Sequence, residues 1–130
     1  MEKKTIAVFF GGCSTEHEVS LQSAQAVLNA IDRERYLPLA VGITKKGEWR
    51  LFSGNLDRLA DGSWERDPSC VPCLLSPDRT CPGLLLPGPE TRRIPIAAGF
   101  PVLHGKNGED GTIQGLLELS GIPVVGCGTL

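Results

Sequence analysis

The sequence predicts an α/β fold, an open and mainly parallel sheet with helices on both faces. Two apolar runs, Thr5–Phe10 and Ala98–Leu103, are typical of strands buried on both faces of a parallel sheet. A helical pattern follows each run, and another strand candidate follows each helix. Two such βαβ units imply parallel strand pairs joined by right-handed crossovers.

The first unit occupies the N-terminal part of the chain. Ala24, Val27, Leu28 and Ile31 recur at the i, i+3, i+4, i+7 spacing of an amphipathic helix. Residues 36–43 predict the next strand. A turn at 45–47 then leads to residues 49–52, which predict an antiparallel hairpin partner.

The second unit lies near the C-terminus. A helix with an inner face of Ile113, Leu116, Leu117 and Ser120 should follow the strand that ends at Leu103. Glycine at position 121 and proline at 123 predict where that helix stops. Residues 123–125 predict a short final strand.

The middle of the chain is rich in proline. Seven of the ten prolines stand at positions 68, 72, 77, 82, 87, 89 and 95. Because proline cannot donate to a β-ladder, we expect short edge strands and loops here rather than core. Val71–Leu75 and Leu84–Leu86 are the strand candidates. We interpret residues 53–95 as an irregular, proline-rich insertion.

Length and charge limit the class of protein. The chain has 130 residues, which fits one domain, and a formal net charge of -2. This balance gives no indication of a nucleic-acid or anionic-membrane partner. No apolar run approaches the roughly 18 residues that span a bilayer. The N-terminus lacks the features of a secretory signal, so we predict a cytoplasmic protein.

Five cysteines occur, at positions 13, 70, 73, 81 and 127. The odd count and the absence of a secretory signal argue against a disulfide framework. Cys70 and Cys73 have CxxC spacing, and Cys81 could be a third zinc ligand. No fourth cysteine or histidine lies nearby in the sequence to complete a zinc site. We therefore predict free thiols and no metal site.

The first loop of interest is GGCSTEHEVS, residues 11–20. Thr15 and Glu18 have capping-box spacing, and Ser14 is an alternative cap, so we assign Glu18 to a structural role. Glu16 is the carboxylate that capping does not require. It either complements the helix dipole or attracts an ammonium group. Neither GxGxxG nor GxxxxGK[ST] occurs, which disfavours a nucleotide loop.

The second loop begins with His104, directly after the predicted strand at 98–103. Asp110 or Asn107 can cap the helix that follows. A histidine at the carboxyl end of a strand is either bonded to nearby backbone or available for hydrogen bonding and acid–base chemistry. In open α/β sheets, ligands lie beyond the carboxyl ends of the strands, where both loops begin.

Together, FFGGCSTEHEVSLQSA and FPVLHGKNGEDGTIQGLLELSGIPVVGCG resemble the D-alanine–D-alanine ligase family, which includes the vancomycin-resistance ligases. GITKKGEW is similar to the longer members, including those tied to D-serine. The resemblance implies that residues 1–130 are the Rossmann-like, pre-ATP-grasp N-terminal substrate domain. Central and C-terminal ATP-grasp domains, which hold ATP and Mg²⁺ (or Mn²⁺), have no match here. We therefore expect an N-terminal fragment that is inactive alone and binds neither cofactor nor metal.

The resemblance also implies roles for individual residues. Glu16 and His104 would be the catalytic and substrate-binding residues, with Glu16 holding the ammonium of the first D-amino acid. Val19 would pack against its methyl group, and Gly105 would let the backbone approach the substrate. Cys13 stands where family members often have a hydroxyl or amide, so a hydrogen bond from that position is not expected.

In the reaction that the resemblance implies, ATP converts one D-alanine carboxylate to an acyl phosphate. The amine of a second D-alanine, or of D-serine, attacks it to form a peptidoglycan dipeptide. A homodimer is also implied. Two other hypotheses remain: a stand-alone α/β module that binds a nucleotide or metabolite through NGEDGT, and a structural or dimerisation domain.

Overall fold

The computed structural model describes residues 3–12, 17–102 and 109–125, without the side chains of 109–112. The strands in these ranges are β1 (Lys4–Gly11), β2 (Tyr36–Ile43), β3 (Trp49–Phe52), β4 (Val71–Pro72), β5 (Leu74–Ser76), β6 (Gly83–Leu86), β7 (Arg92–Ile94) and β8 (Ala98–Pro101). The helices are α1 (His17–Ala30), α2 (Asp57–Ala60) and α3 (Glu109–Leu119), with a short 3₁₀ helix at Ser63–Arg66.

Strand β1 lies inside a five-stranded sheet of order β4-β3-β2-β1-β8. It runs parallel to both neighbours, with Val8 opposite Ala40 of β2 and Phe100 of β8. Strands β3 and β4 extend the sheet in antiparallel fashion. The predicted βαβ unit and hairpin are therefore confirmed, and the sheet is mixed, with two parallel and two antiparallel strand pairs.

Helix α1 covers one face of this sheet. Leu21, Ala24 and Leu28 are buried in a cluster with Val8 and Phe10 of β1. The predicted core positions Val27 and Ile31 are only partly buried and pack at the edge of this cluster. The buried part of the helix face therefore lies closer to the start of α1 than the predicted positions.

Helix α3 covers the opposite face. Ile113 and Leu117 are buried against Ala7, Phe9 and Val41. Helix α3 ends at Leu119, and Gly121 just beyond it has a φ of 78°, the left-handed conformation of the predicted stop. A parallel bridge between residues 99 and 124 completes the second βαβ unit, so the predicted helices on both faces are confirmed.

The proline-rich segment corrects the expectation that it would hold no core. Strands β5, β6 and β7 form a separate antiparallel sheet. Cys73, Leu75 and Leu84 are buried in the same cluster as Phe9. Four prolines flank these strands without entering them, at positions 77, 82, 87 and 95. Since the penalty for proline applies inside a ladder, these residues limit the length of the strands and leave their pairing intact.

Residues 57–66 also add to the core, which the sequence interpretation did not anticipate. Trp64 is fully buried, and its ring packs edge-on against Phe10 at a centroid distance of 5.1 Å. Phe52 lies on it at 6.3 Å in a similar edge-on arrangement. A side chain at Gly42 would run into the Trp64 ring, so glycine in β2 makes room for the indole.

The described cysteines agree with the prediction of free thiols. Cys70, Cys73 and Cys81 form no disulfide, whereas Cys13 and Cys127 lie outside the described residues. Burial raises the pKa of the Cys73 thiol to about 12 and also raises the pKa of Cys70. Within residues 3–12, 17–102 and 109–125, no helix is long and apolar enough to cross a membrane.

The core role of the proline-rich segment predicts a large effect of Leu84→Ala. Leu84 is fully buried, so its truncation should lower the free energy of unfolding by about 2–5 kcal/mol. Leu74→Ala is the matched control, because Leu74 in the adjacent strand is 43% exposed and should lose less than about 1 kcal/mol. Urea denaturation measures the free energy of unfolding of both variants. Equal losses would show that this segment is not part of the core.

The cysteines predict an order of alkylation. At pH 8 iodoacetamide should modify exposed Cys81 at least about ten-fold faster than buried Cys73, because the raised pKa of Cys73 keeps it protonated and inert. Peptide mapping by mass spectrometry follows each site in the native chain. In urea the two rates should converge. Fast native labelling of Cys73 would contradict its burial.

Candidate functional site

A glycine corner ends strand β1 at the carboxyl edge of the sheet. Gly11 and Gly12 have φ values of 89° and 99°, in the left-handed region that favours glycine. The Gly12 N–H donates to the Ile43 carbonyl at the end of β2, at 2.7 Å. A Cβ at Gly11 would collide with that same carbonyl, so the corner lies directly on the end of β2.

The Ser20 hydroxyl bridges the ends of two strands. It accepts a hydrogen bond from the Gly11 N–H at 2.8 Å and donates one to the Val102 carbonyl, just beyond β8. The Val102 N–H donates in turn to the Phe9 carbonyl at 2.7 Å. The first turn of α1 and the ends of β1 and β8 therefore form one buried, hydrogen-bonded unit.

His17 is buried at the start of α1. Its Nδ1 lies 2.7 Å from the Gly12 carbonyl oxygen, and because a carbonyl only accepts, Nδ1 must carry the proton. Its Nε2 lies 3.9 Å from Oε1 of Glu65 in the 3₁₀ helix. His17 thus binds the glycine corner through Nδ1, and its Nε2 faces the 3₁₀ helix that carries Trp64.

Glu18, in the first turn of α1, is exposed and pairs with Lys45 beyond the end of β2. The Lys45 Nζ donates to the Glu18 carboxylate at 2.8 Å. This hydrogen bond lowers the pKa of Glu18 and raises the pKa of Lys45, and their attraction adds to both effects. Both groups are solvated, so the pair contributes little to stability. The structure therefore gives Glu18 an ionic partner in addition to its predicted capping role.

A polar cleft of about 380 Å³ lies beside this pair. Its walls are the start of α1, the turn between β2 and β3, and the α2–3₁₀ segment. The lining residues are His17, Glu18, Leu21, Thr44, Lys45, Lys46, Glu48, Ala60, Asp61, Gly62 and Glu65. Val19 does not line the cleft, although its side chain is 48% exposed.

Most of the predicted site residues lie outside the described residues. These are Ser14, Thr15, Glu16, His104 and Gly105. Asp110 belongs to the first turn of α3, but its side chain is not described. Their roles stay predictions, as does the capping bond from Glu18 to Thr15. The structure does place the starting points of both loops at one edge, because β1 and β8 are parallel neighbours.

Sequence reasoning missed His17 and Ser20, although a signal was present. The predicted helix face includes Ala24 and Leu28, and the same stripe continues backward to positions 20, 21 and 17. A serine and a histidine on that stripe break the apolar pattern, so the stripe was not extended. Among the described residues, no group of three or more histidine, cysteine or acidic side chains could hold a metal ion.

Comparison with known proteins places this geometry in a family. The model described as D-ala D-ala ligase N-terminus matches residues 5–127. The D-alanine–D-alanine ligase of Caldicellulosiruptor bescii is 50% identical over 131 residues, covering 100% of this chain and 35% of that protein. The vancomycin B-type resistance protein VanB of Enterococcus faecalis is 50% identical over 130 residues, covering 98% of this chain and 35% of that protein.

A solved structure agrees. The VanG D-Ala:D-Ser ligase of Enterococcus faecalis superposes with a TM-score of 0.88 at 46% identity, covering 95% of this chain and 36% of that one. The chain spans about 35% of the length of the curated relatives named above. The family model covers nearly the whole chain and the fold agrees, so this chain belongs to the D-alanine–D-alanine ligase N-terminal domain family.

Proposed function

We propose that this chain is the N-terminal substrate domain of a cytoplasmic, ATP-dependent ligase that joins D-alanine to D-alanine or D-serine for peptidoglycan synthesis. The observation that carries the proposal is the family match over residues 5–127, which includes both loops at the carboxyl edge of the sheet. The names of the relatives, D-alanine–D-alanine ligase and D-Ala:D-Ser ligase, support this substrate class.

The proposed roles follow the chemistry of a D-amino acid. Glu16 supplies a carboxylate for its ammonium group, and exposed Val19 supplies an apolar surface for its methyl group. His104 donates a hydrogen bond to the reacting groups, while Gly105 allows the backbone to approach. The start of α1 attracts negative charge, so it stabilises carboxylates in this turn. ATP, held by other domains of the ligase, would supply the phosphoryl group that activates the first carboxylate, and attack of the second amine would release that group as phosphate.

ATP and Mg²⁺ (or Mn²⁺) are assigned to other domains of the ligase. The sequence has neither of the two glycine-rich nucleotide motifs. The described residues offer no cluster of three metal-binding side chains. The described residues therefore offer no site that fits either group, and no chemical step through ATP or metal is attributed to this chain. Their proposed work is to bind and orient the first D-amino acid.

A chimera tests the proposal. Replacing the 131 matched residues of the Caldicellulosiruptor bescii ligase with this chain should preserve D-alanine-dependent release of phosphate from ATP. The 130 residues expressed alone should release none. Loss of activity in a folded chimera would contradict the proposal. Tight binding of ATP by the isolated chain would instead favour a stand-alone nucleotide module.

In the chimera, Glu16→Gln should raise KM for the first D-alanine by roughly 10- to 100-fold. Losing the charge of a hydrogen-bonded ion pair costs on the order of 1.5–3 kcal/mol. Glu18→Gln is the matched control. It removes the same charge two residues along the chain, but Lys45 already neutralises the carboxylate of Glu18. Steady-state kinetics compares the two. Equal losses would show that the roles of the two carboxylates are wrongly divided.

A further inference from the structure

We propose that Ser20 is a positioning residue that sets the spacing between the two loops leaving β1 and β8. The inference rests on the proposed function, because those loops carry Glu16 and His104. Ser20 touches no substrate in this proposal. It acts through Gly11 and Val102, the backbone positions from which the loops depart.

The bridge needs a group that donates and accepts at one point. A hydroxyl has one proton and two lone pairs, so it can accept from the Gly11 N–H and donate to the Val102 carbonyl at the same time. Ser20 has no exposed surface, so water does not compete for either bond. Alanine would leave a donor and an acceptor without partners in a buried place.

A second buried serine shows that this arrangement is not the usual behaviour of serine in a helix. Among the described residues, the Ser120 hydroxyl, beyond the end of α3, shares its one proton between two carbonyls of the preceding turn, Leu116 and Leu117, each at 3.0 Å. Ser20 reaches out of its own helix to two different strands. Both serines are buried, yet only Ser20 links separate elements at the carboxyl edge of the sheet.

The linkage matters because, among the described residues, β1 and β8 are otherwise hydrogen-bonded to each other near this edge through their own ladder. That ladder ends at the pair Phe9 and Pro101, and the bond from the Val102 N–H to Phe9 follows it. Beyond this point, Ser20 joins the two departing backbones. Without the hydroxyl, Gly11 and Val102 lose the group that joins them directly and are held only by separate bonds to other residues, and a misplacement of about 1 Å can cost on the order of 100-fold in rate.

The kinetic test compares Ser20→Ala with Ser120→Ala in the ligase chimera, at a temperature where both variants are folded by circular dichroism. Ser20→Ala should lower kcat/KM for D-alanine by roughly 100-fold. Ser120→Ala should leave it within about three-fold, since Ser120 lies outside the proposed site. If Ser20→Ala does not fold, Ser20→Cys, which keeps the size but weakens the hydrogen bonds, replaces it. Equal kinetics for the two serine positions would overturn the proposal.

The isolated chain gives a second readout that does not depend on ligase activity. Losing one hydrogen bond should speed amide hydrogen exchange at Gly11 by about ten-fold. Amide resonances should shift at both Gly12 and Val102, whereas Ser120→Ala should leave them in place. Shifts confined to residues of α1 would contradict the proposal that Ser20 links the ends of β1 and β8. If the wild-type chimera makes no D-dipeptide, the proposed function fails, and the exchange measurement alone decides whether Ser20 links the loops.

Discussion

The burial of β1 from Ala7 to its end is the constraint on which the other elements depend. Ala7, Val8, Phe9 and Phe10 are fully buried, and alternate residues point to opposite faces of the sheet. Both faces of this strand must therefore be covered by apolar side chains from elsewhere in the chain. The strand must also leave the sheet at its carboxyl end without leaving polar backbone groups unpaired. The bonds of Gly11 and Gly12 to Ser20 and Ile43 satisfy that second need.

Helices α1 and α3 cover the two faces, and different parts of the middle segment add to each of them. On the Phe10 face, α1 is supplemented by Trp64. On the Phe9 face, α3 is supplemented by Leu75 and Leu84 of the small antiparallel sheet. The segment from 53 to 95 is therefore part of what buries β1 and cannot be regarded as an appendage. Because Oε1 of Glu65 lies 3.9 Å from Nε2 of His17, the same segment also reaches the start of α1.

The periodic elements were predictable because their patterns are local. Apolar runs and helical spacing identified β1, α1, β2 and β3, and glycine identified the end of α3. The small sheet was underestimated because proline density says where strands stop but not whether their side chains are buried. The burial of Ser20 and His17 was not predicted, because polar residues interrupt an apolar helix face and the sequence does not show which backbone groups they bind. The predicted ligand residues came from family motifs and lie largely outside the described residues, so their geometry stays a prediction.

The charges at the start of α1 sharpen the division between its two carboxylates. A helix start stabilises negative charge, but it does not distinguish one acidic residue from another. Lys45 does distinguish them. Its bond to Glu18 lowers the pKa of that carboxyl and raises its own, so both groups stay charged at neutral pH and compensate each other. A ligand with an ammonium group would have to compete with Lys45 for Glu18. Glu16, two positions earlier in the sequence, is the carboxylate proposed for the ammonium group, and the Lys45–Glu18 pair supports that proposal because Glu18 already has a cationic partner.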